Sequence, residues 1–233
     1  MTFQPHLWLA KRQLAAKSVE TRLRTVRKLR EAGGRAALDL LAAALRDAEA
    51  QVRVEAAAAL GEMKDREAVP FLLQALGDGS AEVQQAVVHA LKHIGDYRGT
   101  GALVEILVTG SMSAQWGAAQ VLRALGWQPG SPTEELHYCV AMGELRQAAA
   151  FGPEAVAPLA KVLKEGSYQQ RVMAANVLGG MSSLTVLKPL LSALKDADSL
   201  VRTAAAEALA LQQSHEAVGG LTAALKDRER NVR

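Results

Sequence analysis

The chain has 233 residues, a formal net charge of +3, and a composition that is 49% hydrophobic but only 4% aromatic. Its apolar residues are chiefly Ala, Leu and Val, with seven prolines, a make-up that suits close-packed helices and speaks against a sheet protein. The single cysteine, Cys139, excludes an intramolecular disulfide, and no apolar run approaches the roughly 20 residues that a membrane-spanning helix needs. With no signal-peptide pattern at its start, the expected location is cytoplasmic and no membrane partner is expected.

A fixed period organises the sequence. Leu29, Leu60, Leu91 and Leu122 lie 31 residues apart, and Leu178 and Leu209 repeat that interval. Self-similarity at this spacing marks stacked supersecondary units that pack on their neighbours rather than one closed core.

In chain order, residues 5–16, with Trp8 and Leu9, read as the first helix of a degenerate opening unit. Ser18 then serves as the N-cap of a second helix that reaches Ala32, and Gly33-Gly34 stops it. The next three units pair helices over 36–46 and 51–63, 67–76 and 82–94, and 99–108 and 114–125. Val52, Ala56, Ala59, Leu60 and Met63 fall on one face of a second helix, as do Val83, Val87, Ala90, Leu91 and Ile94. These stripes are the expected core.

The period then breaks. Leu122 and Leu178 are 56 residues apart, 25 more than one repeat, and the extra stretch opens at Trp127-Gln128-Pro129-Gly130. Ser131-Pro132-Thr133-Glu134 combines an N-cap, a proline at the first helical position and a glutamate three residues after the cap. This predicts a helix over 132–142, a break at Gly143 and a shorter helix over 144–151. Regular helices resume over 154–164, 169–181, 184–195, 199–212 and 216–226. Val232-Arg233 occupy the first two positions of a further second helix, which reads as a piece of a longer array or an end that meets another protein.

The recurring run Asp47…Val52-Arg53…Leu60-Gly61, echoed by Asp196…Val201-Arg202…Leu209, resembles the HEAT-like repeats first described in phycobilin lyases. The resemblance covers the chain outside residues 127–152. It implies an all-α fold: a right-handed α-solenoid, or α-α superhelix, of about six HEAT-like helix pairs with an inserted helical hairpin near 127–152. The expected organisation is one solenoid, with N-terminal repeats and a basic first unit over 1–126, the insert over 127–152, and C-terminal repeats over 153–233. The repeat class includes scaffolds, lyases, an iron hydroxylase and a DNA glycosylase. Its hydroxylase carries paired His-Glu dipeptides on several helices, whereas here only His215-Glu216 has that form.

The same resemblance implies that second helices line a concave face. Positions opposite the core stripe then make the candidate binding surface: Arg27, Arg30, Gln85, His89, Lys92, Trp116, Gln120, Arg123 and Asn176. Mixed aromatic, amide and basic side chains suit recognition of a protein. Trp116 has two readings, a partner anchor or a side chain packed beneath the inserted hairpin. The residues Lys11, Arg12, Arg24 and Lys28 belong to a basic first unit, in which nine basic side chains up to position 36 face only Glu20 and Glu31. Nucleic acid is therefore the alternative partner, through phosphate contacts.

Recurring arginines (Arg22, Arg53, Arg171, Arg202, Arg233) and aspartates (Asp47, Asp78, Asp196, Asp227) admit an anion track or a structural ladder between units. In the ladder each Asp caps a helix start and accepts from a neighbouring Arg. His89 and His93 lack a third ligand for a metal, and no phosphate loop, nucleophile elbow or carboxylate cluster appears. The sequence therefore reads as a non-enzymatic protein-interaction or scaffold module, with no catalytic residue, metal or cofactor expected. A bilin-lyase or chaperone-like subunit is a further alternative, carried by the resemblance alone.

Overall fold

The structure, a computed structural model, describes residues 5–233, so residues 1–4 of the expected first segment lie outside the described residues. The described residues are helical throughout, without strands, and divide into two compact units, the first ending at Gln128 and the second running from Pro129 to Arg233. The segment 129–152 thus belongs with the C-terminal repeats.

The first unit holds four helix pairs: α1 (Pro5–Leu14) with α2 (Val19–Ala32), α3 (Gly34–Ala44) with α4 (Ala50–Met63), α5 (Val69–Ala75) with α6 (Ala81–Ile94), and α7 (Thr100–Thr109) with α8 (Met112–Ala124). The second unit holds α9 (Pro132–Met142) with α10 (Leu145–Ala149), α11 (Val156–Glu165) with α12 (Tyr168–Gly179), α13 (Leu187–Ala193) with α14 (Ser199–Leu211), and α15 (Ala217–Ala224). Within each unit second helices stack on second helices, α2 on α4, α4 on α6, α6 on α8, and α12 on α14. Each unit is an α-solenoid.

Local chemistry sets these boundaries. Ser18, Ser80, Ser111, Ser131 and Ser167 each accept a hydrogen bond from a backbone N–H of the first turn, satisfying donors that a helix start leaves open. Gly33 stops α2 at φ 61°, and Gly143 stops α9 at φ 80°, both in the left-handed region that glycine enters without steric cost. Short 3₁₀ turns precede α5, α7, α11 and α13; α5 and α11 therefore begin two residues later, and α13 three residues later, than their sequence pattern predicts.

The expected stripe is the core. Leu29, Leu60, Leu91, Leu122, Leu178 and Leu209 are all buried, along with Val52, Ala56, Ala59, Val83, Val87 and Ala90. Met63 and Ile94, at the far end of the stripe, are half-buried.

Glycine allows the second helices to approach closely. A Cβ built on Gly61 would lie 2.7 Å from Ala90 Cα, and one on Gly179 would lie 2.8 Å from Ala208 Cα. Both positions repeat the same register, a glycine near the end of one second helix resting on an alanine of the next. Gly61 and Gly179 share a repeat column with Arg30, Lys92 and Arg123, which are expected on the open face. The two glycines are instead buried where two helix backbones meet.

A ladder of ion pairs ties the repeats together. Arg22, Arg53, Arg171 and Arg202 each reach an aspartate 25 residues ahead, through Nε and Nη2, at 2.7–3.0 Å. The remaining guanidinium nitrogen donates to a backbone carbonyl at the preceding turn, 2.8–2.9 Å away. The aspartates Asp47, Asp78, Asp196 and Asp227 also accept the backbone N–H two residues on. Planar bidentate pairing of this kind is what a guanidinium is shaped for, and it makes the row a structural ladder. Where the residue 25 ahead is Thr109 or Val140, the arginine is replaced by Gln84 or Gln115. These glutamines keep the carbonyl contacts and make no pair across to an aspartate.

The ladder depresses carboxyl pKa values. Burial of Asp78 and Asp196 opposes ionisation, but hydrogen bonds from Arg53 and Arg171 and from the backbone outweigh it, leaving both below the usual range. Asp227, held first by the Arg202 hydrogen bond and then by the Glu229 N–H, falls to about 2.

Two outcomes follow from this packing. Gly61→Ala destabilises the chain by about 1–3 kcal/mol through overpacking, outweighing the ~1 kcal/mol gain in helix propensity. Gly219→Ala, where a Cβ meets nothing within 4 Å, stabilises by about 0.4–1 kcal/mol; urea unfolding of both variants checks the contrast. The second concerns pH. A depressed carboxylate stabilises fully above its unfolded pKa of roughly 3.9 and loses that contribution as pH falls through its folded value. The urea midpoint is therefore expected to stay level from pH 7 to 5 and to drop between pH 4 and 2, with Asp227→Asn removing part of the drop.

Candidate binding faces on the second helices

In the first unit, α2 and α4 pair their charges. Arg27 Nη2 lies 2.7 Å from Glu55 Oε1, and Arg30 Nη1 lies 3.5 Å from Glu62 Oε1. Arg24 sits 3.4 Å from Glu20 along its own helix. Of the expected basic patch, Lys11, Arg12, Arg24 and Lys28 are all exposed, and the Arg12 guanidinium lies over the Trp8 ring at 5.8 Å from its centroid, within reach of a cation–π attraction. The cationic count of this end is thus partly spent on carboxylates and a ring.

α6 and α8 are different. Gln85, His89 and Lys92 are exposed along one face of α6, with the His89 and His93 rings tilted at 6.2 Å between centroids. On α8, Trp116 is 37% exposed, Gln120 is half-buried, and Arg123, exposed, donates from Nη2 to Gln120 Oε1 at 2.8 Å. The two helices pack side by side. No acidic residue occurs on α8, and the only one on α6 is Glu82, which accepts from the Ser80 hydroxyl. This face offers a large aromatic surface beside uncompensated positive charge.

Asn176 stands in the second unit, on α12, in a site that the sequence reading did not find. A cleft of about 810 Å³ runs along α12. Tyr168, Met173 and Leu200 are large apolar side chains exposed along it, Asn176 sits among them, and Arg146 of α10 is its one charged lining residue. Among the described residues Arg146 has no carboxylate partner. The signal lay in the repeat columns. Tyr168, Met173 and Leu200 occupy positions that other second helices fill mostly with small or polar residues, such as Ala50, Glu55 and Gln51.

No group of three or more metal-ligating side chains occurs among the described residues, and no described helix is long and apolar enough to cross a membrane. Cys139 is buried on α9; burial, then the nearby charges of Glu144 and Glu135, pushes its thiol pKa up.

A family model of HEAT repeats matches residues 8–79 and 156–233, well over half of the chain. The chain belongs to the HEAT-repeat family. Among solved structures, it is similar to human deoxyhypusine hydroxylase in complex with glycerol, with 26% identity over 97% of this chain and 92% of that one, at a TM-score of 0.42. It is also similar to the complex of CpcE and CpcF of phycocyanin lyase from Nostoc sp. PCC7120, with 23% identity over 95% and 94% of the two chains and a TM-score of 0.42. An engineered protein matches at 20% identity over 98% of this chain and 92% of that one, with a TM-score of 0.33. No curated protein matches the chain.

The thiol gives this HEAT protein a simple check. Because a thiolate is the reactive form, Cys139 is expected to resist Ellman's reagent in the native chain and to react at once in denaturant; rapid native labelling contradicts the buried placement.

Proposed function

We propose that this HEAT-repeat chain is a non-enzymatic interaction module that holds an acidic segment of a partner protein on the α6–α8 face. The observation that carries the reading is the exposed Trp116 beside Lys92, His89 and Arg123, on helices that bring almost no carboxylate of their own. A buried aromatic anchor ringed by polar contacts is the usual core of a protein interface. Uncompensated positive charge steers an acidic partner toward it and speeds encounter.

Nucleic acid through the basic first unit gains less support. Arg24, Arg27 and Arg30 are engaged with glutamates, so a phosphate contact there competes with an existing ion pair.

The double variant Trp116→Ala, Arg123→Ala tests the reading. Arg123 is exposed and Trp116 partly so, and circular dichroism checks that the variant keeps its helical fold. Proteins from the source lysate that are retained by the parent chain are expected to be lost from the variant, and their retention on the parent to weaken as salt is raised. Identical recovery on both contradicts the α6–α8 face.

A further inference from the structure

The 25-residue stretch between the two regular arrays is a helix pair of the second unit with most of its second helix missing. α9 stacks beside α11 as first helices do, and α10 stacks beside α12 as second helices do. However, α10 has 5 residues, against 14 in α4 and in α6.

The consequence is visible in one column of the repeat. Ala59, Ala90, Val121 and Ala208 occupy equivalent places on α4, α6, α8 and α14, and each is at most 2% exposed. Ala90 and Ala208 are covered by the closing turn of the preceding second helix, through Gly61 and Gly179. Val177 holds this place on α12. It is only half-buried, because α10 ends at Ala149, before the turn that would rest on it. Val177 lines the cleft, bounded on the α10 side by Arg146, Ala149 and Pro153.

We infer that the cleft is the seat of a helix supplied by a partner protein, which completes the truncated repeat. The roughly nine residues by which α10 falls short of α4 would span ~13 Å, and the cleft of about 810 Å³ lies along the helix they would cover. The chemistry of the occupant follows from the lining. A small residue, glycine or alanine, rests on Val177 as Gly61 rests on Ala90. An apolar face meets Tyr168, Met173 and Met181, in the helix-in-groove manner. A carboxylate meets Arg146, the one charged lining residue. The inference rests on the reading of the chain as an interaction module but uses other residues, so the Trp116/Arg123 variant leaves it untouched and each fails separately.

The probe is a capped peptide with the α4 sequence, Ala50–Met63, which carries Gly61 and a net negative charge. It is titrated to millimolar concentration into the full chain labelled at methionine methyls. The Met173 and Met181 methyls are expected to shift saturably, while Met112 in the first unit stays in place. Val177→Asp weakens the peptide at least tenfold. Arg146→Glu, at an exposed position that leaves the fold intact, also weakens it. Three results overturn the inference: no shift at Met173 and Met181, the parent's affinity retained in both variants, or the same shifts appearing on concentration of the chain without peptide, which would make a second copy the occupant.

Discussion

The contact between backbones of successive second helices is the constraint on which the rest depends. A glycine on one helix lies so close to an alanine on the next that no larger side chain fits between them, and interiors at this density respond to single methyl groups. The approach fixes the spacing of the stack. At the α4–α6 and α12–α14 junctions it also dictates composition: glycine at Gly61 and Gly179, alanine at Ala90 and Ala208, and leucine beside them at Leu60, Leu91, Leu178 and Leu209.

The arginine–aspartate ladder plays a second part. Apolar packing alone leaves a stack of near-identical helices with several tolerable registers, whereas a bidentate pair between residues 25 apart is satisfied in one. The ladder is continuous at the two ends of the sequence and lapses where Gln84 and Gln115 take the arginine position. Those glutamines keep the part of the arginine's task that lies within their own repeat, the contacts to its turn carbonyls, and give up the contact to the next.

Much of this was legible in the sequence because it is periodic. The 31-residue interval located the helix pairs, the buried leucine column and the partners of the ladder, and Ser131-Pro132 announced α9. The candidate faces were less legible, for a physical reason. A residue opposite the core stripe is exposed only if the neighbouring helix stays away, and the period does not say how close two helices come. Gly61 and Gly179 share a column with Arg30 and Lys92 yet are buried, since the lack of a side chain invites the neighbour in. The charges of Arg27 and Arg30 pair with Glu55 and Glu62 on the next second helix, across a gap that no single-helix projection displays. The cleft on α12 depends on what is missing: the 25-residue stretch is six residues short of a period, and its second helix, α10, has only 5 residues. Reading that stretch as a shortened repeat, rather than as an insertion alone, identifies the neighbour left uncovered.

The exposure of one valine decides whether this account is right. With a soluble paramagnetic cosolute added to the native chain, the Val177 methyls should relax strongly while those of Val121, the same column in an intact stack, remain protected. Equal protection of the two would mean that α12 is already covered and that no repeat stands open.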